Sequence, residues 1–62
     1  MNSLKQILLA KLRRPVHVSY ISNNLTKLPL DMTMDIINEM IQDELLEESE
    51  YGKGYYIVKK LG

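Results

Sequence analysis

Two prolines and a pair of glycines constrain this chain more than any other feature. Pro15 and Pro29 are its only prolines, and Gly52 and Gly54 its only glycines before the last residue. Proline removes a backbone donor and turns the residue before it away from helix, while glycine opens tight turns. Regular elements must therefore sit between these points. In the first stretch Ser3 followed by Gln6 is a capping box, and Leu4, Ile7, Leu8 and Leu12 repeat at helical spacing. That predicts a helix over 4–13, with Arg13 and Arg14 at the negative end of its dipole and Pro15 as its stop.

In "PVHVSY" Val16, Val18 and Tyr20 alternate with His17 and Ser19, the period of a short half-buried strand. Ser19 then caps a second helix over 20–27 that turns Ile21 and Leu25 inward and ends tightly before Pro29. Asp31 is the expected N-cap of the longest helix, 32–45, with Thr33, Ile36, Ile37, Met40 and Ile41 on one side. Met32, Asp35, Asn38, Glu39 and Asp43 fall on the other. Finally "LEESEYGKGYYIVKK" reads as strand 46–51 returning as strand 55–60 through a three-residue loop, Gly52 to Gly54. That register would pair Tyr51 with Tyr55 and Glu47 with Lys59.

Sixty-two residues make one domain, 1–62, and so short a chain buries only about 60% of its unfolded surface. Without a cysteine, no disulfide or thiolate metal site helps, so the aliphatic side chains hold the fold, and a reducing, cytoplasmic setting is expected. The longest apolar run, "ILLA" at 7–10, is far below the roughly 20 residues that span a bilayer. No signal-peptide pattern follows it, so a soluble protein with no membrane partner is expected. The net charge of zero hides a segregation: all eight acids lie between 31 and 50, and all eight bases lie outside that window. Such asymmetry concerns partners more than folding.

The order helix, short strand, helix, tight turn, helix, hairpin resembles the winged helix-turn-helix superfamily over nearly the whole chain, an α+β fold. "SYISNNLTKLPLDMTMDIINEMIQDELLEE" looks like the helix, turn, recognition helix and lead into the wing, and "EYGKGYYIV" like the wing. Glu44 stands where many members carry Gly. The resemblance is one of topology and apolar spacing. It implies a small regulatory module like those of transcription regulators, binding double-stranded DNA with the third helix in the major groove and the wing along the backbone. Carried over residue by residue, it brings Asp31, Met32, Met34, Asp35, Asn38 and Glu39 nearest the bases and Lys27 and Lys53 nearest phosphates; in the wing, Lys53 between its two glycines, with Tyr51, Tyr55 and Tyr56 beside it, is placed to lie along the backbone. Asn38 is the best candidate for a base edge.

Electrostatics pull the other way, because the chain from Leu28 to Gly52 has no Lys or Arg to neutralise phosphate. Met32, Met34, Asp35 and Glu39 therefore support a second expectation, a protein-interaction face that docks on a basic partner. Arg13, Arg14, Lys59 and Lys60 can form one basic patch if the first helix and last strand flank the short strand. The sequence leaves a homodimer open. His17 stands alone, the serines have no base beside them, and "GKG" lacks the spacing of a phosphate loop. No catalytic residue, metal ligand or cofactor is expected.

Overall fold

Among the described residues seven side chains form the buried core: Leu8, Leu12, Ile21, Ile37, Met40, Leu46 and Tyr56. They come from every helix and two of the three strands in the computed structural model, which describes residues 3–60. In chain order the elements are α1 (Leu4–Lys11), β1 (Val16–His17), α2, α3 (Leu30–Gln42), β2 (Leu46–Glu48) and β3 (Tyr55–Val58). Helix α2 starts as Val18–Tyr20 and runs on as a wider π-helical segment, Ile21–Thr26. The sheet is antiparallel with strand order β1-β3-β2, so the fold is α+β, three helices on a small sheet.

Helix α1 opens as its sequence predicts, with Ser3 Oγ accepting from the Gln6 N–H at 3.2 Å. It ends two residues short of the expected 13. Leu12 is the C-cap, donating to the Leu8 carbonyl at 2.9 Å. The Leu12 carbonyl instead accepts from the Val58 N–H, also at 2.9 Å, so the chain leaves the helix to meet β3. Arg13 and Arg14 consequently lie beyond the helix, in the connection to β1.

The expected strand alternation stops at His17. The imidazole Nδ1 accepts from the Ser19 N–H at 3.1 Å and lies 2.9 Å from Ser19 Oγ, so His17, not Ser19, caps α2. Helix begins at Val18 and rotates Tyr20 outward, leaving it 54% exposed where an inward side chain was expected. At its far end α2 closes on Lys27, which takes the left-handed conformation (φ 58°). Buried hydroxyls fix the turn that follows. Ser22 Oγ donates to the Leu28 carbonyl at 2.6 Å, Thr26 Oγ1 accepts from the Leu28 N–H at 3.2 Å, and Thr26 and Thr33 hydroxyls bond each other at 2.7 Å. Buried polar atoms are costly unless paired, and these are paired.

Helix α3 starts earlier than predicted, with Pro29 at the N-cap. Asp31 is not the cap. Its carboxylate lies inside the first turn and accepts from the Met32 N–H at 2.9 Å, where negative charge suits the helix dipole. Thr33, Ile37 and Met40 are buried, with Ile36 and Ile41 packed at the margin, as the apolar spacing predicts. The helix ends at Gln42 rather than 45, because Glu44 turns left-handed (φ 62°) and the Leu45 N–H closes back on the Met40 carbonyl at 2.9 Å.

The hairpin register differs from the expected one by two residues. Leu46 pairs with Val58, Glu47 with Ile57 and Glu48 with Tyr56, so Tyr51 is not opposite Tyr55 nor Glu47 opposite Lys59. The strands are also shorter than 46–51 and 55–60. The Ser49 N–H donates to the Tyr55 carbonyl at 2.7 Å, leaving a five-residue loop, Glu50 to Gly54. Ser49 Oγ accepting from the Tyr51 N–H and Gly54 at φ 85° build that longer turn. A slip of two keeps each side chain on its own face, so Tyr56 still points into the core.

Candidate functional site

Ending α1 early and rotating Tyr20 outward together open a groove of about 610 Å³ at the corner of α1, β1 and α2. Its rim carries Lys11 from the last turn of α1 and Arg13 and Arg14 from the connection. Pro15, Val16, His17, Leu25 and the half-exposed Tyr20 complete its lining. Among the described residues no carboxylate lies within ion-pair reach of Lys11, Arg13 or Arg14. Three unpaired cations beside an apolar, aromatic-edged concavity can hold an anion that also carries a flat or greasy part.

The hairpin tip is tied to one end of this groove. The Val18 N–H donates to the Gly54 carbonyl at 2.9 Å, and the His17 and Tyr55 rings meet edge to face with centroids 5.0 Å apart. Tyr51 continues the stack onto Tyr55 at 4.8 Å. Two of the tyrosines expected beside a nucleic-acid backbone therefore pack on each other, and Tyr55 also packs on His17, leaving Tyr51 exposed at the outer end. Lys53, also exposed, is held in this tip next to Gly54.

Helix α3 presents a different surface. Asp31, Asp35, Asn38 and Gln42 recur at helical spacing along its outer side, all exposed, and Leu30 and Met32 remain 52% and 49% exposed at its start. Met34 leaves the expected docking set, since it packs against the core. Glu39 is held by Lys5 of α1, and that carboxylate, by its hydrogen bond first and its charge second, raises the Lys5 ammonium above its ordinary 10.5. Glu47, Glu48 and Glu50 are exposed along the hairpin, with Glu48 accepting from the Gly54 N–H at 3.4 Å. Acids thus surround both the start of α3 and the hairpin loop.

The expected basic patch is divided. Arg13 and Arg14 join Lys11, whereas Lys59 Nζ points to Glu44 at 3.8 Å, and neither Lys59 nor Lys60 lines the groove. Lys27 is exposed two residues beyond Leu25. Sequence reasoning missed Lys11 and Tyr20. The signal for Lys11 was its place two residues before the arginine pair; Tyr20 carried none, because its alternation pointed inward. Among the described residues no group of acids and histidines is arranged to hold a metal ion, and no helix is long and apolar enough to cross a membrane. Comparison with protein-family models, with curated proteins and with solved structures finds no match for this chain.

Proposed function

We propose that this chain is a small, non-enzymatic regulatory module of the winged-helix kind that binds DNA, gripping the phosphate backbone with the α1–β1–α2 corner instead of inserting α3 into the major groove. The observation that carries this reading is the gathering of Lys11, Arg13 and Arg14, with no carboxylate partner among the described residues, around one groove whose His17 end abuts the hairpin that bears Lys53. Phosphate neutralisation supplies most non-specific affinity, and this is the surface able to provide it. An α3 edged by Asp31 and Asp35 would meet the phosphates flanking a groove with like charge. The element order and the sheet order β1-β3-β2 are compatible with a winged helix, the hairpin being its wing.

Fluorescence anisotropy against a random duplex across a salt series tests the reading. Replacing Arg13 and Arg14 together with Gln should weaken binding to all sequences alike and lower the log–log salt slope by about two units, one for each lost phosphate contact. An unchanged slope, or no binding by the parent chain, would overturn it. A second reading is favoured by Leu30 and Met32, half exposed on either side of Asp31: α3 docks on a basic protein surface while the corner holds nucleic acid.

A further inference from the structure

A duplex backbone offers the groove sugars and phosphates, and those need only its cationic rim. The geometry points to a more specific occupant: an unpaired nucleotide, its phosphates on Lys11, Arg13 and Arg14 and its base laid against Tyr20, so that the module prefers single-stranded polynucleotide to continuous duplex. This rests on the nucleic-acid reading above and adds to it the state of the strand.

Three features of the groove carry the inference. Its volume of about 610 Å³ accommodates a base and its sugar, whereas a paired base stays inside the helical stack and cannot enter. Its lining includes Pro15, Val16 and Leu25, apolar surface that a phosphate alone leaves unused. At its edge stands Tyr20, a ring 54% exposed whose backbone is braced because its carbonyl accepts from Asn24 Nδ2 at 3.3 Å. Every base has a π face, so stacking on one aromatic side chain binds single strands with little sequence preference, and adjacent guanidinium groups add phosphate and cation–π attraction. Tyr51 meets Tyr55 edge to face, and Tyr55 meets His17 in the same way; Tyr20 belongs to neither pair and lines the groove.

The test uses the full chain and labelled oligomers of about 12 nucleotides, within the span that a small domain covers. Anisotropy is measured with oligo-dT, oligo-U and a duplex of equal length, at several salt concentrations. Single strand should bind roughly tenfold more tightly than duplex, the scale of one base–aromatic stack. Tyr20→Ala should erase that margin, Tyr20→Phe should retain it, and the Arg13 and Arg14 to Gln pair should weaken both ligands. The oligo-dT and oligo-U arms identify which polymer supplies the unpaired base, and equal affinity for both also supports the site. A parent chain that binds duplex as well as single strand, or a Tyr20→Ala chain that keeps the margin, would overturn the inference while leaving the proposed function standing. Displacement of oligo-dT by polyglutamate at equal charge concentration would overturn it too, by assigning the groove to acidic protein. Failure to bind any nucleic acid would remove both readings together.

Discussion

At the scale of single residues, the chain's stability rests on a few side chains with no substitute nearby. Ile37 is completely buried at the centre of α3, in a core cluster that among the described residues holds seven side chains. Ile37→Ala should cost about 2 to 5 kcal/mol in chemical denaturation, since a small core relaxes poorly around a deleted branched chain. A loss under about half a kcal/mol, the range of surface substitutions, would place Ile37 outside the core. Tyr56 couples the core to pH. Burial first, and the nearby Glu48 carboxylate second, raise its phenol above the ordinary 10.0. The unfolded chain then ionises at lower pH than the folded one, so the stability linked to the neutral phenol is complete below pH 10.0 and drains away above it. Lys5, raised above 10.5 by Glu39, acts in the same direction and over the same alkaline range. Denaturation midpoints should fall above pH 10.0, and Tyr56→Phe should flatten that fall; an identical alkaline limb in the variant would refute the assignment.

Elements end where particular residues allow. Glu44 closes α3 in the left-handed conformation that glycine adopts without penalty, and a non-glycine residue there costs about 1–2 kcal/mol. Glu44→Gly should therefore stabilise the fold by roughly 0.5–1 kcal/mol after allowing for the added freedom of the unfolded chain, measured as a higher denaturation midpoint. Its pair with Lys59, 3.8 Å apart and largely exposed, offsets little of this. Gly54 makes the opposite case. At φ 85° a side chain is strained, and a Cβ would lie 2.9 Å from His17 Nε2. Gly54→Ala should cost about 1–3 kcal/mol and disturb the His17 cap of α2, while Gly52→Ala, which meets only the movable ring of Tyr55, should cost less. Equal effects at the two glycines would count against this account of the loop. These residues also explain what the sequence made legible. Apolar spacing located all three helices and the buried side of α3. It missed the ends of α1 and β1 because a tertiary bond to Val58 and a histidine cap, not Pro15 or Ser19, decide them. It missed the hairpin register because Ser49 and Gly54 build a five-residue loop. Arg13 and Arg14 were readable as a basic pair, but the groove they line exists only after α1 and α2 pack.

For the molecule as a whole, charge separated along the sequence is only partly separated in space. Lys5 and Lys59 cross to the acidic side to hold Glu39 and Glu44, leaving Lys11, Arg13 and Arg14 grouped at the corner and Asp31 and Asp35 exposed on α3. Replacing Asp31 and Asp35 together with Asn removes two charges while leaving the Lys5–Glu39 contact untouched. If α3 entered a duplex groove, losing those charges would tighten binding to random DNA several-fold at low salt, where repulsion is least screened. With the corner gripping the backbone, DNA is held by a groove that neither aspartate lines. Affinity for duplex should then change by less than about twofold and the salt slope not at all, because both aspartates are solvent-exposed and outside the groove, where salt screens their charge. The same variant should associate more slowly with a basic protein partner, since complementary charge acts chiefly on the encounter rate. Combining it with the Arg13 and Arg14 to Gln pair should give the DNA loss of the arginine pair alone, as expected for sites that share no bonding partner. A marked gain in duplex affinity from the aspartate changes would return α3 to the DNA interface and displace the corner from it.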